Sequence, residues 1–262
     1  MVPMYVALTR AVPPTLGECE LTHAAREPID LDRAIAQHSD YEALLRALGA
    51  RVERVEPAPD CPDSVFIEDT AVVFDELAVV TRPGADSRRG EVAGVAAALG
   101  AYRGLQPIDV PGTVDGGDVL SIGRRVFVGL SRRTNAEGVR QLTACLQPLG
   151  YSVAAVPLER CLHLKSAATA ATDSLIVYHP GWIDRTVFDG LECLAVDPDE
   201  AAGANVLRVG ETIVCAASAP KLARLLESRG LPVRMLDASE LAKAEAALTC
   251  CSLIFREAMV TR

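Results

Sequence analysis

The sequence predicts an α/β fold in which five copies of a strand, strand, helix, strand unit close into a ring with pseudo-fivefold symmetry. Three observations carry this reading. Five segments, "IEDTAVVFDELAVV", "GGDVLSIGRRVFVG", "SAATAATDSLIV", "NVLRVGETIVCA" and "CCSLIFREAMV", each run as an apolar strand, a short polar turn and a second apolar strand. Their equivalent turn residues Phe74, Ile122, Ala171, Val209 and Phe255 lie 48, 49, 38 and 46 residues apart, close to the fixed period of a repeat architecture. The two ends of the chain also complement each other. No helix follows the fifth strand pair, whereas the N-terminus supplies "YVALTR", a helical pattern in "LDRAIAQHSDYEALLRALG" and then "ARVERVE". The alternative is an ordinary α/β sheet of similar βαβ units, which yields comparable short patterns.

Each element of the unit has its own signal. Helix-compatible stretches follow three of the strand pairs: "SRRGEVAGVAAALG" the first, "SRRTNAEGVRQLTACLQPLG" the second and "SAPKLARLLESRG" the fourth. Each ends in a glycine able to cap a helix. A β-rich run such as "YSVAAVP" or "LPVRML" comes next. Residues 1–262 are read as a single domain, a length near the upper limit for one core.

Composition narrows the function classes. Half the residues are hydrophobic and 23% are charged, an ordinary globular balance, and a formal charge of −9 argues against nucleic acid or an anionic membrane as partner. The first residues, "MVPMYVALTRAVPP", lack the basic start and long apolar core of a secretory signal. The eight cysteines are scattered with no CxxC pair, as expected of reduced thiols in a cytoplasmic protein. The partner expected is a small-molecule substrate, with the protein itself a monomer or a homodimer. There is no Walker motif, GxGxxG fingerprint, HExxH helix or four-ligand zinc spacing, so no cofactor and no required metal are expected.

In a ring, the first strand of each unit runs near the axis, and the polar residues at those strand starts become neighbours. They are Glu68 and Asp69, Asp115 and Asp118, His163 and Lys165, Asn205, and Cys250 and Cys251. Carboxylates, an imidazole and a thiol would meet at one end. On a strand, Cys250 and Cys251 face opposite sides. Counting back from the equivalent turn residues puts Cys250 on the same face as Asp69 and Asp115, with Cys251 on the other as a small buried hydrophobe.

The motifs "FIEDTAVV", "VDGGDVL", "GLSRRTN", "LHLKSA" and "LTCCS" stand in the order and spacing of the dimethylarginine dimethylaminohydrolases, which the chain resembles over essentially its whole length. That family belongs to the guanidine-modifying pentein superfamily. The resemblance implies a five-bladed α/β propeller and hydrolysis of methylated arginine to citrulline and an alkylamine. It implies Cys250 as nucleophile, His163 as the acid and then base, and Asp115 as the group orienting His163. It further implies Glu68 and Asp69 on the substrate guanidinium, Arg88 and Arg133 on the substrate carboxylate, and Asp63 on its α-amino group. Leu16 matches the family's mobile flap, and an inhibitory zinc on the thiols and His163 is compatible with it. The residue chemistry agrees. A guanidinium carbon is a poor electrophile, so attack calls for a strong nucleophile and for carboxylates that orient the planar cation. Two other readings remain: an arginine deiminase or related guanidine hydrolase, and a non-catalytic binding protein on the same ring, as in the pentein-fold ribosome anti-association factors. Asp118 is read as structural.

Overall fold

The computed structural model of the protein describes residues 5–257. Its strands form five separate three-stranded sheets, each with an antiparallel inner pair and an outer strand parallel to the middle one. In chain order of their inner strands, blade one contains Ala71–Val73, Leu77–Val80 and Gly104–Pro107, and blade two contains Val119–Ile122, Arg125–Leu130 and Ser152–Pro157. Blade three contains Ala168–Ala170, Leu175–Tyr178 and Glu192–Ala195, and blade four Leu207–Val209, Thr212–Ala216 and Val233–Leu236. Blade five is built from both ends of the chain, Leu253–Arg256 pairing with Tyr5–Thr9 and that strand with Ala50–Arg54.

The ring and its five blades are therefore as the sequence predicts, with one correction in blade five. There, the middle strand is Tyr5–Thr9, not the segment after Phe255, and residues 258–260 of that expected strand lie outside the described residues. The short repeat of 38 residues also has a cause. Blades one, two, four and five cross between their middle and outer strands through the helices Val92–Leu99, Ala136–Leu146, Pro220–Ser228 and Leu31–Ala47. Blade three crosses through only the short 3-10 segment Arg185–Phe188.

Packing follows from this geometry. The core is five apolar seams, one between each pair of neighbouring blades. Val72 and Val79 meet Val119 and Val128 across one seam, Leu175 and Val177 meet Ile213 and Cys215 across another, and Val6 and Leu253 meet Ala71 and Ala78 where the ring closes. Each sheet thus buries both faces, which explains why so many strand segments read as continuous apolar runs.

Where a strand was expected to begin, the chain instead makes one helical turn before the inner strand: Ile67–Thr70, Gly116–Asp118, Leu164–Ala167 and Leu248–Cys251. Blade four has the longer segment Pro198–Ala204 there. These turns pack closely. A Cβ on Gly116 would lie 2.0 Å from the carbonyl oxygen of Glu68 and 2.9 Å from that of Ala71, so only glycine fits. Replacing it forces two blades apart, an overpacking cost of roughly 3 kcal/mol. Gly116→Ala is expected to lower Tm by about 5–10 °C. Gly17→Ala, which meets nothing within 4 Å, should leave Tm unchanged. Equal melting of the two variants in differential scanning fluorimetry would show that the turns do not set blade spacing.

Candidate active site

Successive residues of a 3-10 turn point about 120° apart rather than to opposite faces, and this decides which side chain reaches the axis. In Ile67–Thr70, Asp69 faces a small buried cavity while Glu68 turns away from it. In Leu248–Cys251, Cys250 lines the same cavity and Cys251 is buried in the seam between blades four and five. The sequence expectation for the two cysteines survives, although the strand register from which it was argued does not exist at these residues.

Six of the predicted residues converge on that cavity, which has a volume of about 20 Å³: Asp63, Asp69, Arg88, Arg133, His163 and Cys250. Asp115 stands behind His163, fully buried, with its Oδ2 3.1 Å from His163 Nε2 and its Oδ1 accepting from the Gly84 N–H at 2.8 Å. The other ring nitrogen, Nδ1, lies 3.8 Å from Asp69 Oδ1. Burial alone would disfavour an imidazolium. The surrounding carboxylates of Asp69, Asp115 and Asp118 outweigh it and push the His163 pKa up to about 9. Asp69 is itself held down to about 2 despite its burial, by His163, Arg88 and the Gly117 N–H that donates to its Oδ1 at 2.9 Å. At neutral pH the pair is an imidazolium facing a carboxylate.

The thiol is in the opposite condition. Burial, then the charges of Glu68 and Asp69, raise the Cys250 pKa well above its usual value, and its Sγ accepts only a 3.3 Å contact from the Ala247 N–H. A positive charge placed against Asp69 would offset the Coulomb part of that shift.

Two predicted residues are placed differently from expectation. Glu68 does not line this cavity. Its carboxylate is bound to Lys165 Nζ and to the Thr249 hydroxyl, and it borders a second cavity of about 260 Å³ along the inner strands of all five blades. Leu16 is fully buried in the seam between blades four and five and does not line the small cavity. Glu20 lines it instead, its N–H donating to Asp63 Oδ2 at 3.0 Å, and the chain that follows is tied to another lining residue, the Thr22 N–H donating to Glu245 Oε2 at 2.7 Å. The His23 and Ala24 N–H groups also donate to Glu245.

The arginines differ as well. Arg88 is buried and almost fully engaged, its Nε and Nη2 held by the Glu91 carboxylate at 3.1 and 2.9 Å, its Nη1 by Asp69 and its Nη2 also by the carbonyl of Phe66 at 2.8 Å. Arg133 has one long contact, 3.4 Å to the Thr22 hydroxyl. Sequence reasoning missed Glu91, although it stands three residues after Arg88 in "SRRGE", and it missed Glu245, whose φ of 55° no sequence pattern announces. Asp118, read as structural, is fully buried and accepts from the Leu164 N–H and the Ser131 hydroxyl at 3.0 and 2.6 Å, steadying the turn that carries His163.

No protein-family model matches the chain. A dimethylarginine dimethylaminohydrolase of Streptomyces coelicolor is 44% identical over 257 residues, covering 97% of this chain and 98% of that protein. Among solved structures, a dimethylarginine dimethylaminohydrolase adduct with S-methyl-L-thiocitrulline superposes with a TM-score of 0.91 at 30% identity, covering 95% of this chain and 99% of that one. The Pseudomonas aeruginosa enzyme, as a cysteine-to-serine mutant complexed with citrulline, gives a TM-score of 0.90 at 30% identity over 95% and 98% of the two chains. With that identity spanning nearly the full length of both proteins, the chain belongs to the dimethylarginine dimethylaminohydrolase family of the pentein superfamily.

Proposed function

We propose that this protein hydrolyses Nω-methylated arginine to citrulline and dimethyl- or monomethylamine, with the ring as its single catalytic domain. The observation that carries the proposal is the meeting of a half-buried thiol, an imidazolium and an ionised carboxylate in one cavity of a chain so similar to known dimethylarginine dimethylaminohydrolases. The eight free cysteines support a cytoplasmic setting. Among the described residues no helix is long and apolar enough to cross a membrane. Whether it acts as a monomer or a homodimer is a second part of the proposal, for which light scattering is the test.

The steps follow from the charges. The substrate guanidinium docks on Asp69, and its positive charge lowers the Cys250 pKa so that the thiol releases its proton to water. The thiolate attacks the central carbon and forms a C–S bond. His163 gives its proton to the methylated nitrogen, the C–N bond breaks, and the amine leaves a thiouronium on Cys250. Neutral His163 then takes one proton from the incoming water, whose oxygen joins the carbon; the C–S bond breaks, and the departing thiolate takes the remaining hydroxyl proton, leaving neutral citrulline and restoring the Cys250 thiol. Asp115 keeps the imidazole in place throughout. Asp63 is assigned to the α-amino group. Arg133 and the remaining Nη1–H of Arg88 are assigned to the carboxylate, and Glu68 balances charge beneath the guanidinium from its place on Lys165. A cavity of about 20 Å³ holds little more than a water molecule. Residues 20–24 must therefore lift for substrate to enter, and Leu16 would move with them.

Product analysis with asymmetric dimethylarginine, monomethylarginine and arginine side by side is the direct test, and dimethylamine release is the expected result. Cys250→Ser should be inactive at saturating substrate while Cys251→Ser keeps most of its turnover. An active Cys250→Ser protein would sink the mechanism.

The two arginines should separate. Arg133→Ala is expected to raise KM roughly 10- to 100-fold, the loss of one charge-assisted contact of about 1.5–3 kcal/mol, with little change in Tm. Arg88→Ala leaves the buried carboxylates of Glu91 and Asp69 without their cation, a loss of about 3–5 kcal/mol that should appear as a lower Tm. Similar melting of the two variants would refute this division.

The pH dependence has a defined sign. In the complex, thiolate and bound cation oppose each other beside His163, so its pKa should stay near the value of about 9 in the empty site. The protonated ring is the acid, and kcat should fall as pH is raised through that value. A kcat that keeps rising above pH 10 would exclude His163 as the proton donor.

A further inference from the structure

Blade four supplies none of the acids, the imidazole or the thiol, yet the residue at the end of its helical segment reaches the axis. Asn205 is 3% exposed and uses both ends of its amide. Its Nδ2 donates to the Lys165 carbonyl and to Thr249 Oγ1, both at 3.0 Å, and its Oδ1 accepts from the Thr249 N–H at 3.1 Å. The Thr249 hydroxyl, accepting from Asn205, donates onward to Glu68 Oε2 at 2.8 Å. One side chain thereby ties blade three to blade five, and through Thr249 to blade one.

Thr249 is the residue immediately before Cys250, in the four-residue turn Leu248–Cys251. A single turn has too few internal hydrogen bonds to hold its own orientation, so outside contacts must set it. The two bonds from Asn205 fix Thr249 at main chain and side chain together. We propose that Asn205 is a positioning residue for the nucleophile, aiming the Cys250 thiol into the cavity by pinning the N–H and the hydroxyl of Thr249. The assignment rests on the reading of Cys250 as the attacking group. A buried amide is costly to desolvate, and the position is flanked by Ala204 and Val206, both buried. An apolar residue would suit such surroundings better if packing were the only demand.

The test uses the full chain with Asn205→Ala and the near-isosteric Asn205→Asp, read by three measurements. These are kcat and KM with asymmetric dimethylarginine, the rate at which a small amidine-bearing reagent alkylates Cys250, followed by mass spectrometry across pH, and Tm. Misaiming the thiol should lower kcat and the alkylation rate of Asn205→Ala together by about 100-fold. KM should stay within about threefold, because Asp63 and Arg133 are untouched. Asp at 205 can still accept from the Thr249 N–H but cannot donate to its hydroxyl, and it sets another carboxylate beside Glu68. Its alkylation profile should therefore move to higher pH by about one unit.

A fall in Asn205→Ala alkylation no larger than a parallel rise in KM would overturn the proposal. Should Asn205→Ala fail to fold, Asn205→Asp decides through its alkylation rate at the high-pH plateau, where the thiol is ionised in both proteins: it should fall about tenfold or more, and an unchanged plateau overturns the proposal. If the unaltered protein alkylates at Cys250 but releases no amine from any methylated arginine, the functional reading fails, while the alkylation rates still decide the role of Asn205. An unaltered protein that does not alkylate at Cys250 overturns both.

Discussion

Buried carboxylates crowd the axis of this ring, and an ionised carboxylate in such a place survives only with a partner. Asp69 has Arg88 and His163, Asp115 has His163, Glu68 has Lys165 and Thr249, and Glu91 has Arg88. Each acid is thereby kept in place by a contact from another part of the ring or from its own helical segment. The same arrangement prepares the chemistry. It stores a proton on His163, denies Cys250 its ionisation while the site is empty, and leaves a cation as the ligand that restores balance. Stability and reactivity here are two readings of one charge distribution.

The blades divide the work. Blade one brings the acid and the arginine, blade two the group behind the imidazole, blade three the imidazole, and blade five the thiol. Asp69 and Cys250 act from the helical turn before the inner strand, Asp115 and His163 from the residue that opens that turn, and Arg88 from the 3-10 segment Asp86–Glu91 after the middle strand. A turn of three or four residues leans on its neighbours, as Gly116 does on Glu68 and Thr249 on Asn205. The turns therefore form one belt around the axis, and neither the imidazole nor the thiol is placed by its own blade alone.

Much of this was legible in the sequence because each sheet is buried on both faces. Apolar runs and glycine-ended helices announce the blades, and the complementary ends announce closure. What periodicity could not show was the belt of turns. "IEDT" and "LTCC" extend directly into strands without a break in composition, so a period of two was carried back over residues that are helical. The pairing of Glu68 with Asp69 on the substrate follows from the family resemblance, and in the structure only Asp69 faces the cavity. Polar partners separated by long stretches of chain, such as Asn205 with Thr249, leave no local pattern at all. Arg88 shows a further limit. A paired arginine and an available arginine look the same in "SRRGE", and only the fold reveals that Glu91 and Asp69 already hold it.

Tyr5 and Arg256 are cross-strand partners in blade five, so the described ends of the chain lie about 5 Å apart, one strand spacing. A ring closed in this way has no architectural first blade. If a short link joined these ends and the backbone were opened at a surface loop between two other blades, the circularly permuted chain would carry the same seams and the same belt of turns in a different order along the gene. The thiol could then precede the imidazole and the acids in sequence without moving in space. Motif order along the chain is thus an inheritance from where the circle happens to be cut, whereas motif spacing is imposed by the size of a blade.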